Sequence, residues 1–139
     1  MATDDIIDRL AGLALFSDLS RPELEIAAHT FDEEWFPQGQ RILRQGFTGT
    51  GFHLILEGEA AVVIDGVERA TLGRGDFFGE ISVLLDEPPT ADVTAVTALH
   101  CLSLPRQDLV PWLVQSPWVA VRMLEAELRR LRNANKWRN

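Results

Sequence analysis

Residues 77 to 95 decide the reading of this chain: Phe77-Phe78-Gly79-Glu80-Ile81-Ser82-Val83-Leu84-Leu85-Asp86-Glu87-Pro88-Pro89-Thr90-Ala91-Asp92-Val93-Thr94-Ala95. Two aromatic residues lead into a glycine and an acid, an apolar run follows, and two prolines precede a Thr-Ala pair. Phe77 and Phe78 read as core residues. Gly79 permits close backbone approach. Glu80 suits the first turn of a helix, where a carboxylate favours the dipole. Pro89 contributes neither a backbone N–H nor a charge.

Around this stretch, residues 31 to 104 read as short strands with frequent turns. Asp65-Gly66 stands between Val62-Val63-Ile64 and Val67, a two-residue hairpin signal, because both turn positions need positive φ. Phe52, Leu54 and Leu56 alternate with His53, Ile55 and Glu57, the pattern of a sheet with one well-buried face. Many short strands closing on themselves predict a β-roll of jelly-roll type. Before it, Ile6, Ile7, Leu10, Leu13 and Leu15 recur at near-helical spacing after the cap candidate Thr3, and Ser20-Arg21-Pro22-Glu23 starts a second helix carrying Leu24, Ala27 and Ala28. After it, Pro105 and Pro111 bracket a short helix, and Ser116-Pro117 opens a longer one with proline at its first position. The expected architecture is α+β: helices over about 3–30, an antiparallel β-roll over about 31–104, and C-terminal helices over about 105–134, in one domain spanning 1–139.

Composition bounds the function. At 139 residues and 46% hydrophobic, the chain suits one domain with its own core. The net charge of −8 argues against nonspecific nucleic-acid binding by the body. Six cations and two acids leave residues 122–139 at +4 and the rest at −12. The basic end reads as a solvated helix face whose cations suit the C-terminal dipole. Cys101, the single cysteine, reads as a buried strand thiol. No apolar run approaches the roughly 20 residues of a membrane span. The acidic start lacks a signal peptide's basic residues, so a cytoplasmic protein is expected. His29, His53 and His100 are scattered, without the His-x-His pair of metal-binding jelly rolls. No Ser-His-Asp spacing, Walker loop or Cys-His pair is present, so the chain is expected to be neither an enzyme nor a metal protein.

The stretch 77–95 closely resembles the phosphate-binding cassette of the cyclic nucleotide-binding domain family. Leu15-Phe16, Leu19-Ser20 and Leu24 resemble that family's lead-in, and Phe36–Gly46 with Phe52–Gly58 resemble its first β-roll motifs. Gly73-Arg74-Gly75-Asp76 resembles the turn before its Phe-Gly-Glu. The resemblance runs from about residue 13 to the last helix. It implies a sensory or regulatory module whose ligand is cyclic AMP or cyclic GMP, held by Phe78, Gly79, Glu80, Ile81, Pro89, Thr90 and Ala91. Glu80 matches the ribose glutamate, while Thr90 and Ala91 match positions that give a hydroxyl and an N–H to the phosphate. The family's phosphate-gripping arginine is replaced by Pro89, and Asp92 stands where Ser or Thr is usual, adding a carboxylate near an anion. Weak or non-standard binding is therefore expected. Arg69 and Arg74 match no ligand position of the family and read as surface charges.

Two alternatives stay open: an interaction module of this fold that has lost nucleotide binding, and a fragment of a longer regulator. With the sequence ending at Asn139, the DNA-binding helix-turn-helix of the family's transcription factors is not expected. Val121, Leu124, Leu128 and Leu131 form a 3-4-3 seam on the last helix. Packing on the chain's own β-roll and weak homodimerisation explain it equally well.

Overall fold

The structure, a computed structural model, describes residues 3–47 and 51–135. Gly49, Lys136 and Arg138 lie outside the described residues, as does the side chain of the cap candidate Thr3. The chain forms two compact units, one of residues 29–111 and one that joins the N-terminal segment to residue 28 with the segment from 112 onward.

The first unit consists of two four-stranded antiparallel sheets. The strands are β1 (Asp32–Phe36), β2 (Arg41–Leu43), β3 (Phe52–Glu57), β4 (Ala60–Ile64), β5 (Val67–Leu72), β6 (Phe77–Phe78), β7 (Asp92–Ala95) and β8 (Leu99–Leu104). Their orders are β1-β8-β3-β6 and β2-β7-β4-β5. The hydrogen bonding does not close into a barrel, so the arrangement is an antiparallel β-roll of two sheets rather than a continuous jelly-roll barrel. Every strand contributes to one core: Phe36, Ile42, Leu43, Ile55, Ala60, Leu72, Phe78, Val93, Ala95, Leu99 and Cys101 are all buried there. Asp65 (φ 51°) and Gly66 (φ 79°) make the β4–β5 turn, the two positive φ values the hairpin signal requires. Cys101 is fully buried, and burial pushes its thiol up to about 12.

Strand β3 departs from its alternation. Phe52, His53, Leu54, Ile55 and Leu56 are all buried, so both faces of this strand are covered. A polar residue at an alternate position, His53, is accommodated because Ser103 on the neighbouring strand supplies a partner.

In the helical unit, α1 (Thr3–Ala11) buries Ile6, Ile7 and Leu10. The apolar periodicity continues to Leu15, but the helix does not: Gly12 follows its end, and Leu15 and Phe16 lie in a separate 3-10 turn, Ala14–Phe16. Helix α2 (Arg21–Thr30) starts with a reciprocal capping box. Ser20 N–H donates to Glu23 Oε1 at 3.0 Å, and Glu23 N–H donates to Ser20 Oγ at 3.4 Å. Phe16 packs on Trp112, and Arg122 bridges Asp18 at 2.7 Å and Glu125 at 2.9 Å.

The predicted helix between Pro105 and Pro111 starts late and runs past the second proline. Arg106–Asp108 is a 3-10 turn, and α4 spans Leu109–Gln115. Pro111 falls in its first turn, where the missing N–H has no intrahelical acceptor to lose. Helix α5 (Pro117–Asn135) starts at proline as expected. It buries Val119 and Met123 instead of the predicted seam: Val121, Leu124, Leu128 and Leu131 are 43–58% exposed.

Candidate functional site

The cassette begins where β6 ends. β6 pairs with β3 through His53 opposite Phe78 and Leu54 opposite Phe77. Phe78 is buried and stacks on the His53 ring at 5.0 Å. Gly79 then turns the chain with φ +91°, and a Cβ there would stand 2.2 Å from the Gly51 carbonyl oxygen. Both the left-handed conformation and the close approach to β3's lead-in require glycine. Helix α3 (Glu80–Leu85) follows at once, with Glu80 in its first turn. Glu80 is 3% exposed, so it is not the solvated dipole partner that its position alone suggested. Ile81 is 43% exposed and shares an open apolar surface of α3 with Leu84 and Leu85.

The loop leaving α3 returns the chain to β7. Asp86 closes the helix in a left-handed conformation (φ 53°), with its N–H on the Ser82 and Val83 carbonyls. Pro89 is buried, Thr90 exposed and Ala91 half-buried. The turn around Arg44–Phe47 fastens this end. Gly46 N–H donates to the Pro89 carbonyl at 2.9 Å, and Gln45 N–H to Asp92 Oδ1 at 2.7 Å. The Gln45 side chain bonds Asp65 in the hairpin, donating at 2.9 Å and accepting from its N–H at 3.0 Å.

This geometry gives Asp92 partners that its place in the sequence does not reveal. Val93 and Ala95 belong to the core, whereas Asp92 and Thr94 alternate with them and are half-buried. The Asp92 carboxylate is taken up by Gln45 N–H and by Arg41, 3.4 Å away. It fastens the cassette loop to the turn around Arg44–Phe47.

The seven predicted residues thus lie on one continuous segment from β6 to β7, in a single unit. A separate cavity of about 280 Å³ in the same unit is lined by none of them; Asp32, Glu34, Gln40, His53 and Ser103 contribute to it. His53 Nδ1 lies 2.6 Å from Ser103 Oγ, and burial lowers its ionisation to about 4. His100 is buried, stacked on Trp35 at 4.6 Å and bonded to Glu33 at 3.1 Å, while His29 is exposed. Among the described residues no three His, Cys, Asp or Glu side chains group as metal ligands, and no helix is long and apolar enough to cross a membrane.

One residue at the cassette escaped the sequence reading. Arg106, from the 3-10 turn after β8, donates to Ser82 Oγ at 3.2 Å, the Ser82 carbonyl at 2.9 Å and Asp86 Oδ1 at 3.0 Å. Its only sequence signal is an arginine just after a strand, which does not reveal that α3 lies beside it.

Comparison with known proteins agrees with this architecture. The chain is 33% identical over 131 residues to the cyclic AMP receptor protein of Thermus thermophilus, covering 91% of this chain and 61% of that protein. It therefore spans less than two thirds of that relative's length. The crystal structure of the Thermus thermophilus catabolite activator protein superposes with a TM-score of 0.77 at 33% identity, covering 88% of this chain and 60% of the other. The regulatory subunit of a cAMP-independent protein kinase A from Trypanosoma brucei superposes with a TM-score of 0.67 at 32% identity, covering 75% and 39%. Residues 33–116 match the family model of the cyclic nucleotide-binding domain, a segment that holds the whole cassette and all of the two sheets but Asp32, and the chain belongs to that family.

Proposed function

We propose that residues 1–139 act as one non-catalytic regulatory module whose cassette takes a cyclic purine nucleotide weakly. The observation that carries this reading is the intact frame of the cassette around a missing cation. Gly79 keeps its left-handed turn against Gly51, and Glu80 is a buried carboxylate at the start of α3. A carboxylate is a suitable acceptor for a ribose hydroxyl. Thr90 and Ala91 offer a hydroxyl and an N–H, while Pro89 brings no guanidinium to the phosphate. Ligand binding then acts by favouring one of two pre-existing arrangements of the module, which biases a partner.

Glu80→Gln tests the ribose role. Affinity for cyclic AMP or cyclic GMP falls, while stability changes by less than about 2 kcal/mol, the upper size of a partly buried helix-dipole contribution. Displacement of a fluorescent cyclic nucleotide gives the affinity, and urea unfolding gives the stability. An unchanged affinity places the ligand elsewhere.

A second reading, an interaction module that has lost nucleotide binding, is favoured by Pro89 itself and by the likeness to a regulatory subunit described as cAMP-independent. In either reading the open α5 seam supports a weak homodimer through Val121, Leu124, Leu128 and Leu131. The seam spans less than two heptads, so the dimer is concentration-dependent rather than obligate. Changing both Leu124 and Leu128 to glutamine abolishes it and leaves the fold intact, because both side chains are more than half exposed. Sedimentation velocity reads the assembly and circular dichroism the fold. A strict monomer at high concentration refutes the dimer.

A further inference from the structure

We infer that Arg106 is a positioning residue for the cassette, tying α3 to the segment that opens the C-terminal helices. Helix α3 has six residues, too few to hold its shape without outside contacts. Its C-terminal carbonyls need donors, and a cation there is favoured by the negative end of the helix dipole. The Arg106 guanidinium supplies both: it takes the Ser82 carbonyl, the Ser82 hydroxyl and the Asp86 carboxylate together.

Ser82 is the centre of this arrangement. It is 6% exposed, and its hydroxyl donates onward to the Glu87 carbonyl. The Ser82 carbonyl also accepts from Glu87 N–H at 3.1 Å. One guanidinium therefore fixes both the last turn of α3 and the first residues of the loop leading to Pro89 and Thr90. Arg106 itself is bound into the chain just after β8, whose six residues are all buried, and three residues before α4 begins. Arg106 thus ties α3 to the start of the turn into α4.

The consequence for ligand binding rests on the cyclic nucleotide reading; the consequence for the cassette's order does not. Arg106→Gln removes the charge and the fork of donors. In the unliganded protein, amide hydrogen exchange over residues 80–87 accelerates by about tenfold or more, the size expected for losing a charge-assisted contact. Exchange in β3 and β8 stays as in the unmodified protein. Arg106→Lys restores protection only in part, since an ammonium cannot reproduce the fork. Cyclic AMP affinity falls by a similar factor in Arg106→Gln.

Unchanged exchange over 80–87 overturns the positioning role, whether or not the protein binds nucleotide. Faster exchange with unchanged cyclic AMP affinity overturns the link to the ligand. Absence of cyclic AMP binding in the unmodified protein, with faster exchange in the variant, retains the positioning role and removes the nucleotide reading. If Arg106→Gln does not fold, Asp86→Asn removes the charge of one partner of the same guanidinium, and Ser82→Ala removes another partner together with the hydroxyl's bond to the Glu87 carbonyl. Acceleration over 80–87 in both supports the inference, and its absence in both overturns it.

Discussion

Replacing Pro89 by arginine tightens cyclic nucleotide binding by about 1.5–3 kcal/mol, roughly ten- to a hundredfold or more. Pro89 is buried near the end of the cassette loop, at the position that the sequence resemblance matches to the family's phosphate arginine. The backbone there is held independently of the side chain, because the Pro89 carbonyl accepts from Gly46 N–H at 2.9 Å. That bond survives the substitution, so the new side chain starts from a fixed attachment. A guanidinium meets a phosphodiester with charge-assisted, bidentate hydrogen bonds that proline cannot make. Losing proline's restriction of the unfolded chain costs about 0.4–1 kcal/mol of stability, well below the binding gain. Asp92 is already engaged by Gln45 N–H and by Arg41. Calorimetric titration of the variant measures the gain. No gain favours the interaction-module reading.

The second large effect is acid destabilisation through His53. Burial lowers its ionisation from the ordinary 6.5 to about 4, against a smaller opposing influence of Glu34. The unfolded histidine takes a proton near 6.5, while the folded one resists until about 4. The stability that follows is complete above pH 6.5 and declines as the pH falls toward 4, because the unfolded chain binds more protons in that window. The decline from this group amounts to about 3 kcal/mol, from about 2.5 units at 1.36 kcal/mol each. Urea unfolding at pH 7, 5.5 and 4.5 measures it. His53→Phe flattens the pH dependence across the window. Equal slopes for the variant and the unmodified protein contradict the assignment.

The cassette was legible because its residues carry their constraints locally. Gly79 must be glycine, Asp65-Gly66 must turn with positive φ, and Ser20 with Glu23 must cap a helix; each is a rule about a few adjacent residues. The features that escaped depend on partners distant in sequence. Asp92 reads as an unwelcome carboxylate until Gln45 and Arg41 stand beside it. Arg106 reads as a plain helix residue until Ser82 and Asp86 do. The periodicity from Ile6 to Leu15 measures which residues are apolar, not whether the backbone stays helical through Gly12. The single-face pattern of β3 failed because His53 is polar by type yet buried in place. The α5 seam gave the opposite case, since heptad-like spacing marks an apolar stripe without saying what covers it.

The most direct measurement is calorimetric titration of the unmodified chain with cyclic AMP and cyclic GMP, at low and moderate salt. A weak, saturable, single-site isotherm is predicted for whichever nucleotide binds, no tighter at low salt than at moderate salt, because a chain of net charge −8 repels the anion and salt screens that repulsion. A submicromolar dissociation constant contradicts the importance assigned to the missing arginine. No detectable binding at either salt contradicts the nucleotide reading itself.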